Sequence, residues 1–303
     1  MKHTHRSSFA LLLLVLLSGC QHSDIRGKVS QIIAQIRRAD YEADQATLKK
    51  CYDALTPFLE HQELAARVRY WRGFDLWRRA INGFNDGLPS AELEQDLKQA
   101  IDEFKQALAI DSAFVDAKVG MTSCLGFLAF MHRSDQPRAR ELIGQMLPLL
   151  EEAKRAAPDN PRLLWVIGPV LWNTPPERGG GQDKAIANYQ RGLELCSKLQ
   201  PSQDELEPTW GKPELLMSLA YSYLNRSSPD VSAAERNARA ALGIVPYWHT
   251  CAISFYRRFW PVKVPGRWVS WPPVIASSRP RTSSLESLNV LIRMAFPAET
   301  GQF

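Results

Sequence analysis

The stretch from Met146 to Leu171, MLPLLEEAKRAAPDNPRLLWVIGPVL, decides the fold. Small and bulky apolar residues recur at helical spacing on both sides of Pro158. Pro158 is expected to end the first helix, because proline lacks the N–H that continues a helix and its ring disfavours the preceding turn. A short connection then returns the next helix antiparallel to the first. The stretch therefore predicts two antiparallel helices packed against each other.

A small, bulky, small pattern recurs along the chain. Its members are Ala100, Phe104, Ala107; Met146, Leu150, Ala153; Ala185, Tyr189, Gly192; and Ala234, Ala238, Ala241, where Ala replaces the bulky residue. The pattern resembles the second helix of a tetratricopeptide repeat, although the spacing exceeds that family's ~34 residues. The resemblance covers about residues 62 to 246. It implies an all-α fold of antiparallel helix pairs, stacked as a TPR-like right-handed superhelix with an irregular C-terminal tail.

The N-terminus is a targeting signal. Two basic residues precede an apolar run over residues 9–17, which is far shorter than the ~20 residues needed to span a bilayer. It therefore indicates an export signal. The following sequence, Leu-Ser-Gly-Cys, resembles a bacterial lipobox, which implies cleavage before Cys20 and lipidation of its thiol. A plain secretory signal with a chance Cys is the alternative. Gln21 implies the outer membrane facing the periplasm, if the source is Gram-negative.

Composition divides the chain into four segments: 1–19, a lipoprotein signal peptide; 20–61, a tether and N-terminal capping helices; 62–250, the helical repeats; and 251–303, a Pro/Trp/Arg-rich tail. The net charge of +5 comes from the two ends, and the repeats are slightly acidic. A nucleic-acid interface in the repeats thereby loses its main support. We expect the tail to be poorly ordered. It is either a docking peptide or a segment without a selected fold, even a shifted reading frame.

The helix predicted from Glu63 to about Phe84 carries a continuous apolar stripe. The stripe consists of Tyr70, Phe74, Trp77, Ile81 and Phe84, surrounded by Arg67, Arg69, Arg72, Arg78 and Arg79. Such a helix could lie on anionic lipid near the anchor. It could also bury its stripe in the core and leave its arginines solvated, which we favour because a repeat helix buries this face.

Two further stretches are predicted to be loops, residues 173–182 and 200–211, since both are rich in turn-forming and polar residues. The cysteines beyond Cys20 lie far apart, without the paired spacing of a zinc or redox site: Cys51, Cys124, Cys196 and Cys251. Cys124 and Cys196 fall on predicted helices among apolar neighbours. We expect both to be buried free thiols.

Candidate partner-binding residues follow from the repeat register, because the first helix of each pair lines the concave surface of such arrays. They are Arg162, Trp165, Trp172 and Asn173 in the pair that begins at Pro161, and Glu214, Met217 and Tyr221 in the last pair. Trp, Tyr and Arg often dominate interface energies. The alternative for Trp165 and Trp172 is that both belong to the core between repeats.

Catalytic motifs are absent from the sequence, so we expect neither an enzyme nor a cofactor or metal. The leading hypothesis is a lipid-anchored adaptor of the cell envelope. It would bind a protein or peptide on its concave face, contact the membrane through its lipid only, and bind no nucleic acid. The alternative is a ligand-handling accessory of a periplasmic solute transporter, whose helical-repeat T component this chain resembles in layout. An open groove favours the adaptor, and a closed apolar tunnel favours the accessory.

Overall fold

The structure, a computed structural model, describes residues 25–200 and 202–249. The predicted signal peptide, Cys20, Cys251 and the predicted tail lie outside them. The described chain is helical without strands. Its helices are α1 (25–42), α2 (Gln45–Ala54), α3 (Gln62–Asp86), α4 (Ser90–Ile110), α5 (Val115–Met131), α6 (Gln136–Ala156), α7 (Pro161–Asn173), α8 (Gln182–Lys198), α9 (Lys212–Asn225) and α10 (Val231–Ile244), with 3₁₀ turns at Thr56–Glu60 and Pro176–Arg178.

Four helix pairs form the array: α3 with α4, α5 with α6, α7 with α8, and α9 with α10. Helices α3, α5, α7 and α9 also contact one another in sequence, which stacks the pairs side by side. The prediction of an all-α, TPR-like array of helix pairs is confirmed. Within the described residues, no helix is long and apolar enough to cross a membrane.

The small, bulky, small pattern forms the contacts within and between pairs. All twelve of its residues are buried. The Phe104 ring of α4 packs where Gly73 of α3 and Gly120 of α5 leave space. A Cβ atom on Gly168 would lie 2.0 Å from the Tyr189 ring, so only glycine fits that position of α7. The sequence pattern thus corresponds to close helix packing.

Short polar side chains fix several helix starts. Asp44, Asp135, Asn160 and Asp230 each accept a backbone N–H from the first turn of the helix that follows. These side chains satisfy N–H groups that have no partner inside the helix. Asn160 precedes Pro161, a residue that suits the first helical position. The return of the chain after Pro158 is therefore determined locally.

The first helix contacts both the first pair and the last pair of the array. Asp40 of α1 accepts a hydrogen bond from Arg78 Nε of α3 at 2.8 Å. Tyr41 donates one to the Glu214 carboxylate of α9 at 2.7 Å. The Tyr41 ring also meets the ring of Trp248, which follows α10, with centroids 5.1 Å apart. Residues from the two ends of the described chain are thus in direct contact.

The three described cysteines are free thiols. Cys124 is fully buried, as predicted, whereas Cys196 is only partly buried. Cys51 is also buried, and burial raises the pKa of its thiol to about 11. Because the thiolate is the reactive form, we expect Cys51 to be inert at neutral pH.

Candidate partner-binding surface

The connection between α8 and α9, which we call the inner segment (residues 202–211), packs against α3 on the side where the repeat register predicts the concave surface. Trp71 Nε1 of α3 donates a hydrogen bond to the Leu206 carbonyl at 2.7 Å. Trp210 Nε1 donates one to the Tyr70 hydroxyl at 2.9 Å. Leu206 and Trp210 are 0% and 3% exposed. The connection is a loop, as predicted, but it is not wholly polar, because these two side chains belong to the main core.

Trp210 lies at the centre of an aromatic cluster. Its ring centroid is 5.6 Å from Trp77, 5.6 Å from Trp165 and 5.7 Å from Phe74. The contacts to Trp77 and Trp165 are edge-to-face, the arrangement that aromatic quadrupoles prefer. The inner segment therefore joins α3 to α7 through one side chain.

Ion pairs hold the acidic part of the inner segment. Glu207 accepts a hydrogen bond from Arg67 of α3 at 2.7 Å. Asp204 pairs with Arg26 of α1, and Glu205 accepts from the Ser30 hydroxyl at 2.6 Å. The segment is thus held by charge at its acidic residues and by apolar contact at Leu206 and Trp210.

The aromatic stripe of α3 faces the interior, and this confirms the core interpretation. Tyr70, Phe74 and Trp77 are at most 1% exposed. That face is therefore unavailable to a lipid surface. The expectation that all the surrounding arginines are solvated is wrong, since Arg72 and Arg78 are 6% and 5% exposed.

Each buried arginine has a carboxylate partner. Arg72 Nε donates to Glu103 of α4 at 2.8 Å, and its guanidinium lies 3.8 Å from the centroid of the Tyr52 ring. Arg78 pairs with Asp40, as described above. A charge removed from water needs such a partner, because an isolated buried ion is strongly disfavoured. These arginines therefore bind α3 to its neighbours.

Three of the predicted partner-binding residues point inward. Trp165 packs against Trp77 and Trp210, and its Nε1 donates to the Ser218 hydroxyl at 3.0 Å. Trp165 is half-buried and packs against the core, which favours the alternative considered for it. Arg162 forms a two-pronged pair with Asp116 of α5, at 2.6 and 2.8 Å.

Glu214 is the third inward-pointing residue. It is 2% exposed, and its second carboxylate oxygen accepts the backbone N–H of Gly211 at 2.8 Å. Burial raises the pKa of Glu214 above its ordinary value, while nearby Arg78 opposes the rise. The carboxylate thus caps α9 and bonds Tyr41 rather than facing a partner.

The other four predicted residues lie together at the end of α7 and along α9, and we call them the α7–α9 face: Trp172, Asn173, Met217 and Tyr221. All four are half-buried. The rings of Trp172 and Tyr221 meet edge to face, with centroids 6.4 Å apart. The structure therefore brings these four candidates onto one partly exposed surface and buries Glu214. Arg162 and Trp165 are also half-buried, but their contacts are with α5 and with the aromatic cluster.

One buried carboxyl has no hydrogen-bond partner. Both oxygens of Asp75 on α3 are unpaired, and the residue is 1% exposed. Burial, reinforced by the Asp40 carboxylate, raises the pKa of Asp75 well above its ordinary value. Over the residues that the structure describes, no cluster of three or more His, Cys, Asp and Glu side chains could hold a metal ion. Asp75 is therefore a desolvated carboxyl and not a ligand in such a cluster.

Sequence analysis missed the inner segment, although a signal for it exists. Leu206 and Trp210 are large apolar residues, four apart, within an otherwise acidic and Pro-containing connection. Large apolar residues in a presumed loop indicate that the loop is packed against something. Their targets, Tyr70 and Trp71, lie about 135 residues earlier. No local pattern connects residues so far apart.

Comparison with known proteins places few limits on identity. No family model matches the chain, and no curated protein matches it. Among solved structures, the crystal structure of yeast Tom70 matches with a TM-score of 0.27 and 16% sequence identity. The match covers 66% of this chain and 48% of Tom70, so the chain spans about half the length of that structure. A similarity this low carries no argument about function.

Proposed function

We propose that the chain is a helical-repeat scaffold, anchored to a membrane by lipid on Cys20, that binds a protein or peptide partner through the α7–α9 face. The observation that carries the proposal is the half-buried Trp172–Tyr221 pair, which lies outside the filled part of the concave side. An aromatic pair held by its helices offers a large contact area at low entropic cost, and such residues often dominate interface energies.

The proposed binding surface is not a groove that runs along the whole array, because the inner segment occupies the space beside α3. The remaining surface is short and lies on α7 and α9. It suits a partner that inserts an apolar side chain next to Trp172 better than one that lies extended along the whole array. Met217, which is unbranched and polarizable, would allow that surface to adapt to the inserted group.

Crosslinking in the cell envelope tests the binding surface. The wild-type chain should capture a defined protein, identified by mass spectrometry, and Trp172→Ala should weaken that capture at least tenfold, as expected for an interface anchor worth ~2 kcal/mol. Ile110→Ala is the matched control, since Ile110 is an apolar residue 53% exposed at the end of α4. Equal capture by wild type and Trp172→Ala would refute the α7–α9 face as the site.

The lipid anchor has its own test. Cys20→Ser removes the thiol that the lipobox would present for acylation, so the variant should leave the membrane fraction and lose incorporation of a labelled palmitate analogue. A variant that remains in the membrane fraction would show that something other than Cys20 holds the chain there. The scaffold part of the proposal would survive that result.

A second candidate function is that of a ligand-handling transporter accessory, and the closed array favours it. The contacts of Tyr41 with Glu214 and Trp248 join the beginning and end of the described chain. A closed array can enclose a small ligand, whereas an open one presents a long groove. Co-purification of a small molecule without a protein partner would support this alternative.

A further inference from the structure

A cavity of about 380 Å³ lies at the seam where the first helix meets the last pair. α1 forms one wall, the end of the inner segment and the start of α9 form the second, and the end of α10 with the chain after it forms the third. The side chains that decide its chemistry are Arg37, Arg38, Tyr41, Trp210, Lys212 and Tyr247. Neither the inner segment nor the α7–α9 face fills this space.

Three basic side chains line the cavity: Arg37, Arg38 and Lys212. Arg38 pairs with Glu42 at 2.8 Å and lies over the Tyr247 ring, 5.1 Å from its centroid. Arg37 and Lys212 form no ion pair with any residue in 25–200 or 202–249. No acidic side chain lines the cavity. Two positive groups beside low-dielectric walls attract an anion.

The rest of the lining is apolar or aromatic. Trp210 and Tyr41 are 3% and 6% exposed, so each presents only an edge to the cavity from a fixed position. Pro213 and Val245 add apolar surface nearby. Pockets that combine such walls with a few placed polar groups bind small organic molecules, and this one is at the small end of their usual range of roughly 300–1,000 Å³.

We propose that this cavity binds a small organic acid. Its carboxylate would be held by Arg37 and Lys212, and its apolar or aromatic body would lie against Trp210 and Tyr247. The inference goes beyond the scaffold proposal and does not depend on it. Lys212 and Tyr221 are nine residues apart on α9, which corresponds to about 13 Å along the helix, so the two sites can be altered separately.

A ligand at the seam would also affect the closed form of the array. The proposed contacts come from α1 on one side and from α9 and Tyr247 on the other. A ligand that binds only when these walls are together stabilises their association by mass action. Binding should therefore raise the melting temperature of the chain.

Calorimetric titration of the full 303-residue chain tests the proposal, with three probes: indole-3-propionate, benzoate and octanoate. At least one should bind saturably at one site and raise the melting temperature. The amide of that acid, which has the same shape without the charge, should bind at least tenfold more weakly. Higher salt should weaken binding of the acid and leave the amide unchanged, because salt screens the cations.

Variants locate the site. Arg37→Gln and Lys212→Gln should each lower affinity about ten- to a hundredfold, the effect of losing one charged hydrogen bond. Ala34→Phe should abolish binding by filling the cavity, since Ala34 is an exposed lining residue that can be enlarged without entering the core. Lys50→Gln is the matched control, because Lys50 is exposed on α2 and does not line the cavity.

Four results would overturn the proposal. Two concern affinity: all three acids bind more weakly than about 1 mM, or the acid and its amide bind equally well. The third is an unchanged affinity in both Arg37→Gln and Lys212→Gln. The fourth is a preference for an acidic peptide, such as Asp-Glu-Leu-Glu-Pro, over every small acid. Circular dichroism of each variant shows whether the helical array is intact. Capture of a protein through Trp172 is a separate measurement, so failure of one proposal leaves the other testable.

Discussion

The concave side of the array is built differently at α3 and at the α7–α9 face. Beside α3, the inner segment covers Tyr70, Trp71 and Trp77, all of which are 0% exposed. On the α7–α9 face, Trp172 and Tyr221 remain half-buried. Both regions use aromatic residues on the first helix of a pair. The difference is how completely the aromatic side chains are buried.

That difference separates stability from binding. Fully burying a large apolar side chain contributes ~1.5–3 kcal/mol to folding, so the stripe of α3 is already engaged in holding the array together. A half-buried aromatic residue has apolar surface left to bury against a partner. An aromatic residue on a repeat helix thus indicates binding only where the chain leaves it uncovered.

The two regions also differ in buried charge. The interior beside α3 contains the pairs Arg78–Asp40 and Arg72–Glu103 together with the unpaired Asp75. The buried residues of α7 are apolar, and α9 buries Glu214 at its first turn. Breaking a buried ion pair destabilises a protein strongly, because it leaves an uncompensated charge. We therefore expect the α3 side to dominate the response of stability to pH.

The largest expected effect is on the filled side. Trp210→Ala empties the centre of the aromatic cluster and removes the hydrogen bond to Tyr70, so it should lower the free energy of unfolding by about 3–5 kcal/mol. Urea denaturation measures this value. Leu199→Ala is the matched control, since Leu199 is 54% exposed just before the same connection and should change stability by less than about 0.5 kcal/mol.

A small effect of Trp210→Ala would change the comparison. If the loss were below about 1 kcal/mol, the range of an ordinary surface substitution, the inner segment would be only weakly attached to α3. The two regions would then be equally accessible to a partner. In that case the stripe of α3 would return as a candidate binding surface.

The sequence contained enough information for the helix pairs and less for their surfaces. The pattern ending at Ala153 and the Pro158 stop predicted a packing that depends on local spacing, and the structure confirms it. Trp165 and Trp172 lie seven residues apart on α7 and are both half-buried, so periodicity could not separate their roles. What separates them is Trp210, which reaches Trp165 from a distant connection.

A second prediction concerns pH and the buried charge of the α3 side. Because the pKa of Asp75 is raised in the folded chain, the folded state binds a proton more tightly than the unfolded state does. Its contribution to stability is then greatest below the ordinary Asp pKa of ~3.9 and decreases as pH rises toward the folded-state value. Asp75→Asn should remove this decrease and raise stability at neutral pH by about 1 kcal/mol or more.

Denaturation of wild type and Asp75→Asn from pH 4 to pH 8 measures the difference. The matched control is Asp102→Asn, because the Asp102 side chain is 67% exposed on α4. The control should follow the wild-type pH profile. Parallel profiles for wild type and Asp75→Asn would show that Asp75 keeps its ordinary pKa in the folded chain.

The smallest expected effect is the loss of stability caused by Trp172→Ala. Trp172 packs partly against the cluster of Ile186, Tyr189, Leu215 and Leu219. Its removal should therefore lower the free energy of unfolding by about 1 kcal/mol, below the ~3–5 kcal/mol typical of an emptied aromatic core site.

Trp165→Ala is the matched comparison, since it removes the same side chain from the same helix but disrupts contacts with Trp77 and Trp210. Thermal melting and urea denaturation should rank Trp165→Ala as clearly less stable than Trp172→Ala. If the two variants are equally destabilised, Trp172 is a core residue and the α7–α9 face loses its central anchor. If Trp172→Ala folds normally and loses partner capture, the half-buried aromatic pair is the part of this array that acts on other molecules.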